Sequence, residues 1–101
     1  MKKILLVCAA GMSTSLLVNK MKEHANEIGT EVEIFALPVS ECSSVADEVD
    51  VVLLGPQVRY QKAQVEKVVK KETPIEVIDM RDYGTMNGKG VLERALKLIA
   101  N

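Results

Sequence analysis

The fold this sequence predicts is an α/β domain: an open four-stranded parallel sheet in the order 2-1-3-4, with helices on both faces. Three observations carry the prediction. Short runs rich in leucine and β-branched residues recur at Ile4–Val7, Val32–Ala36, Val51–Leu54 and Ile75–Ile78. Each run is continuous or nearly so, as expected of strands buried on both faces of a parallel sheet. Segments of helical spacing separate them, and a β-α alternation with right-handed crossovers leaves few topologies, of which 2-1-3-4 is the simplest for four strands.

The elements follow in order. The first run leads to a helical pattern over Ser13–Ile28 with Leu17, Met21, Ala25 and Ile28 on one stripe, and Gly29 stops it as a C-terminal cap. After the second run, Ser40–Glu48 predicts only a short helix opened by Ser40. Beyond the third, Gln57–Lys71 places Val58, Val65, Val68 and Val69 at helical spacing, with lysines gathered in the last turn where the helix dipole favours them. The fourth run leads into Met80–Gly90, which carries Gly84, Gly88 and Gly90 and reads as the longest irregular piece. Val91–Ala100 closes the pattern with Leu92, Ala95, Leu96 and Ile99 on one face.

At 101 residues the chain suits one domain, residues 1–101. Its only aromatic residues are Phe35, Tyr60 and Tyr83, so the core is aliphatic. A net charge of −1 and so few stacking side chains give no case for nucleic-acid binding. No apolar stretch approaches a membrane span, and Ile4–Val7 is too short for the core of a signal peptide, so the chain reads as cytoplasmic with its two cysteines reduced.

Chemistry concentrates after the first strand. Cys8 ends the run and opens the loop Ala9, Ala10, Gly11, Met12, Ser13, Thr14, Ser15 at the start of a helical pattern. Unpaired N–H groups at a helix N-terminus stabilise a thiolate and also receive phosphoryl oxygens. Gly11 frees the backbone to turn its amides inward, and the three hydroxyls add donors without charge. In the order 2-1-3-4 the winding reverses between strands 1 and 3, where ligands bind at the carboxyl ends. The loop Gly55–Tyr60, with Gln57 and Arg59, is therefore expected beside Cys8. Tyr60, Tyr83 and Met86 fall at the same edge as a candidate docking rim, together with Met12 and Val58.

The spacing from Cys8 resembles the Cys-x5-Arg-Ser/Thr loop of protein tyrosine phosphatases, and the small tyrosine phosphatase fold has the same architecture. Thr14 stands where that family has arginine, and Ser15 keeps the supporting hydroxyl. Without the arginine clamp the loop suits holding and passing on a phosphoryl group rather than hydrolysis. Arg59 is a candidate substitute for it. A small cysteine-dependent phosphatase or arsenate reductase relative is the alternative at this level.

Three stretches carry a second resemblance: Cys8-x-Ala10-Gly11-Met12-Ser13-Thr14-Ser15-Leu16-Leu17-Val18, Leu53-Leu54-Gly55-Pro56-Gln57-Val58 and Asp82-Tyr83-Gly84-x-Met86-Asn87-Gly88. Together they closely resemble the enzyme IIB component of bacterial sugar phosphotransferase systems, in its lactose/cellobiose (chitobiose) branch, over essentially the whole chain. The resemblance implies that Cys8 accepts a phosphoryl group from phosphohistidine on a IIA protein. It implies transfer onward to a β-disaccharide bound by the membrane IIC permease, with Ala9–Ser15 binding the phosphoryl group. No cofactor, metal, nucleic acid or direct membrane insertion is implied.

The remaining candidates weigh less. His24, the only histidine, lies about 16 Å along the helix from Ser13 and reads as a surface residue. Cys42 has no metal-ligand partner at useful spacing and reads as a structural thiol. Asp79 and Asp82 invite a general-acid role, but Asp79 more simply ends the fourth strand.

Overall fold

The computed structural model describes residues 1–8 and 15–100. Four parallel strands, β1 (Lys2–Cys8), β2 (Val32–Pro38), β3 (Val51–Leu54) and β4 (Ile75–Val77), form one sheet in the order β2-β1-β3-β4, as the sequence predicts. β1 is central. Ile4 lies opposite Ile34 on one side and Val51 on the other, and Cys8 lies opposite Pro38. Alternate side chains of β1 leave by opposite faces, Ile4 and Leu6 into one core, Leu5 and Val7 into the other. Both faces are covered, which is why the run is apolar throughout.

One face is built by two long helices, α1 (Ser15–Glu27) and, at the far end of the chain, Gly88–Ala100. Leu17, Met21 and Ala25 from α1 meet Val91, Leu92 and Ala95 in one cluster with Ile4, Leu6 and Leu53. α1 stops at Gly29, which takes a left-handed φ of +69°, while Thr30 N–H donates to the Ala25 carbonyl at 2.9 Å. Ile28, predicted on the buried stripe, lies past the helix end and is exposed. Residues 13 and 14 of the predicted helix lie outside the described residues.

The other face has less regular cover. Val39–Ser44 is a 3-10 helix beginning after Pro38, not a helix opened by Ser40. The predicted helix Gln57–Lys71 is a 3-10 helix over Pro56–Gln61 followed by the short α2 (Lys62–Glu66). Val58 leaves helical geometry at φ −116°, and after Glu66 the backbone tightens to three-residue bonds, Lys67 N–H to Gln64 and Val68 N–H to Val65. β-Branched valines hold the inward positions but are poor helix formers, so burial is kept and helix length is lost. The lysines predicted for the last turn therefore lie beyond α2.

The predicted irregular piece Met80–Gly90 is mostly helical. α3 (Met80–Gly84) is started by Asp79, whose Oδ1 accepts from Arg81 N–H at 2.8 Å and Asp82 N–H at 3.4 Å. Asp79 is thus a helix cap rather than the end of β4. The last helix, α4 (Gly88–Ala100), begins three residues before the predicted Val91, with the Asn87 side chain accepting from Gly90 N–H.

Candidate functional site

The carboxyl edge of the sheet gathers the ends of β1, β3 and β4. Cys8 is half-buried there, and its Sγ–H donates to the Leu37 carbonyl of β2 at 3.8 Å. On the other side of β1, Gly55 N–H donates to the Val7 carbonyl at 2.9 Å, tying the turn after β3 to the residue before the thiol. A Cβ on Gly55 would stand 3.1 Å from Gln57 Oε1, 3.6 Å from Tyr83 Cε2 and 3.7 Å from the Val7 carbonyl. The Gln57 amide and the Tyr83 ring therefore converge beside the end of β1. Winding reverses between β1 and β3, so this is the switch point of the sheet.

The other predicted residues fall in several places. Ser15 is exposed at the start of α1, and Ala9–Thr14, Met12 included, lie outside the described residues. Arg59 and Tyr60 are exposed on the 3-10 helix after β3, Tyr60 at 77 %. Val58, their neighbour, is buried. Tyr83 is only 7 % exposed, which leaves a partner little of it to cover. Met86 has φ +54° and lines a groove with Lys20, His24 and Gly88 against α1.

Two exposed apolar residues were not singled out by the sequence. Leu16 in the first turn of α1 and Met80 at the start of α3 follow the carboxyl ends of β1 and β4. With Tyr60 after β3, each of these three strands is followed by one exposed apolar side chain. The available signal was position: an apolar residue in the first turn after a strand, on the edge that carries Cys8.

His24 is a correction. It is buried between α1 and α4, its Nε2 3.1 Å from Glu93 Oε2 and its Nδ1 3.8 Å from Glu27 Oε2. A helix facing another helix buries polar side chains that find partners there, and the partner lies 69 residues away in sequence. Cys42 is buried, and burial pushes its thiol above the usual cysteine range.

A cleft of about 330 Å³ between β4 and α4 does not include Cys8. Its carboxylates are engaged: Glu76 by Arg94, Asp79 as the cap of α3, Asp82 by Asn87. Among the described residues no cluster of histidine, cysteine or acidic side chains is placed to hold a metal ion, and no helix is long and apolar enough to cross a membrane.

Charge at the edge is uneven. Tyr83 is pushed above the usual tyrosine range, first by burial and then by the negative charge that Cys8 carries as a thiolate. A neutral phenol thus stands near a nucleophilic sulfur. The arrangement places a half-buried thiol at the carboxyl end of the central strand.

Comparison with known proteins is consistent across sequence and structure. The pattern of the family described as "PTS system, Lactose/Cellobiose specific IIB subunit" matches residues 3–94. The oligo-beta-mannoside-specific EIIB component of Bacillus subtilis (strain 168) is 47 % identical, covering 100 % of this chain and 99 % of that protein. The galactose-specific EIIB component of Lactococcus lactis subsp. cremoris is 45 % identical, over 97 % and 96 % of the two chains. Among solved structures, the cellobiose-specific phosphotransferase IIB component from Borrelia burgdorferi superposes with a TM-score of 0.83 at 44 % identity, covering 99 % of this chain and 93 % of the other.

Proposed function

Since this chain belongs to the lactose/cellobiose-specific IIB family of the sugar phosphotransferase system, we propose that it is a cytoplasmic phosphocysteine carrier with Cys8 as the phosphorylated residue. Family membership carries the phosphotransferase role. The observation that supports Cys8 is its position, half-buried at the carboxyl end of the central strand where the winding of the sheet reverses.

The donor is a phosphohistidine on a IIA protein. The Cys8 thiolate attacks phosphorus opposite the imidazole nitrogen. A S–P bond forms, the N–P bond breaks, and the bonding pair returns to the ring, which leaves as neutral imidazole because its other nitrogen keeps a proton. Such a loose transition state needs positioning and oxygen-directed donors more than acid–base groups. In this reading the amides and hydroxyls of Ala9–Ser15 supply those donors, and Gln57 adds its side-chain amide from the neighbouring turn. Arg59, exposed on the same turn, is the cation the reading assigns to a phosphoryl oxygen.

The acceptor is a hydroxyl of a sugar held by the IIC permease, to which sulfur surrenders the phosphoryl group. A β-linked disaccharide class is supported by relatives named for oligo-β-mannoside and cellobiose, while a third is named for the monosaccharide galactose. Leu16, Tyr60 and Met80 supply exposed apolar surface for the partner proteins around the thiol.

Intact-protein mass spectrometry tests the reading, after incubation with phosphoenolpyruvate, the general phosphotransferase proteins and a cognate IIA. The expected result is a gain of one phosphoryl mass in the wild type and none in Cys8→Ser. Steady release of phosphate from an aryl phosphate without a phosphoprotein would instead favour hydrolysis.

A further inference from the structure

Three lysines lack the role that helical spacing suggests for them. Lys67, Lys70 and Lys71 lie past Glu66, where α2 ends, so no last helical turn gathers them. With Arg59 and Lys62 they are all exposed, while Val65 and Val69 between them point into the core. Lys62, Lys70 and Lys71 line one shallow groove together with Glu66. Among the described residues none of these five cations forms an ion pair, whereas Lys2, Lys3 and Arg94 each do. Lys62 reaches Glu76 only through its field, behind Arg94. Residues 59–72 hold five of the thirteen cations and two of the fourteen acids, which leaves eight against twelve elsewhere. A chain of net charge −1 thus has one positive side.

The composition of that side selects its partner. Lysine predominates, and mobile ammonium groups suit a diffuse negative field better than the fixed fork of one carboxylate or phosphate. Val68, exposed among them, adds an apolar side chain. A single aromatic residue in the stretch, Tyr60, gives nucleic-acid bases little to stack on. A sheet of anionic headgroups is such a field, and clustered basic residues gain affinity for it one by one. The stretch begins at the carboxyl edge, after β3, and ends just before the amino end of β4, so it runs along one side of the molecule.

We propose that this side, Lys62, Lys67, Lys70 and Lys71 with Arg59 at its upper end, docks on an anionic lipid bilayer and holds the chain on the surface without insertion. The Cys8 edge then stands at the rim of the contact, beside the membrane that carries the permease. Lipid docking stands on the charge distribution, whereas its use in delivering the phosphoryl group rests on the carrier reading above.

Sedimentation with vesicles at low ionic strength tests it, using phosphatidylglycerol mixed with phosphatidylcholine, and phosphatidylcholine alone. The chain sediments with the anionic vesicles only and is released as sodium chloride is raised. The triple substitution Lys67→Gln, Lys70→Gln and Lys71→Gln lowers the partition coefficient roughly a hundredfold, with the melting temperature unchanged. Lys22→Gln, Lys89→Gln and Lys97→Gln together remove the same charge from exposed positions on α1 and α4 and leave partition near the wild-type value. No sedimentation with anionic vesicles, or an equal loss in both triple variants, overturns the proposal. Slower transfer from phosphorylated IIA to the first variant, without vesicle binding by the wild type, overturns it in favour of an acidic protein surface. Phosphocysteine formation is measured without lipid, so its absence would overturn the carrier reading and not the docking.

Discussion

The two faces of the sheet solve the same burial problem differently. One is roofed by α1 and α4, thirteen residues each, in direct backbone contact. The other is roofed by two 3-10 helices and the five-residue α2, with Cys42, Ala46, Val49, Val58, Val65 and Val69 filling the space beneath. Long helices distribute their packing over several turns and hold one another in register. Short tight turns bury comparable side chains but share little hydrogen-bonded cooperativity. The face carrying α1 therefore fixes the helix that begins at Ser15, while the face carrying Arg59 and Tyr60 has more freedom to adjust to a partner.

The largest effect that sharpens this contrast comes from Gly88→Val. A Cβ there would stand 2.5 Å from Lys20 Cβ, 2.6 Å from the Lys20 carbonyl carbon and 2.7 Å from Met21 N, so α1 and α4 must separate. Overpacking against backbone costs about 3 kcal/mol, which urea unfolding measures. A cost near zero would mean the two helices are not locked together.

Val65→Ala on the other face is next, at about 2 kcal/mol for a fully buried valine in a cluster that can partly collapse. Hydrogen exchange gives the sharper reading. Amides of α2 and the turn after it exchange before those of α1 and α4, and the mutation speeds only the former. Equal acceleration on both faces would break the comparison.

The smallest effect concerns Glu76, the one charged residue of β4, which turns toward α4 while Ile75 and Val77 face the other way. Arg94 grips both carboxylate oxygens at 2.6 Å, and this bonding holds Glu76 below the usual glutamate value of 4.5. A carboxyl lowered in the folded state stabilises the fold above its unfolded pKa, and that contribution is lost as pH falls through the folded value. The pair is partly exposed, so its contribution is small. Glu76→Gln accordingly flattens the decline of stability below about pH 4.5, read from urea midpoints across pH. Parallel profiles for variant and wild type would show that the pair contributes nothing.

What the sequence disclosed follows the physics of each feature. The central strands β1 and β3 carry unbroken apolar runs and β2 and β4 runs interrupted once, by Glu33 and Glu76, so all four and their order were legible. The helix over 57–71 was overread because inward valines recur at helical spacing whether the backbone is α or 3-10. α3 and the start of α4 were missed because their signals are single caps, Asp79 and Asn87, set among glycines that read as loop. The burial of His24 depends on Glu93, a partner that no local pattern announces. At the sheet edge, the placement of Cys8 beside the turn after β3 was legible through the topology, whereas the exposure of Leu16 and Met80 depends on how helices leave the sheet edge.

The central position of β1 has a consequence for how the molecule comes into being. Its neighbours are residues 32–38 on one side and 51–54 on the other. During synthesis its fully apolar stretch therefore waits for both, and parallel pairing of this kind is slow because distant segments must meet first. Until Leu54 has docked against Val7, the growing chain carries a sticky ribbon and an unplaced sulfur. A nascent chain carries Cys8 long before the sheet edge around it exists, and that edge arrives with the closing of the third strand.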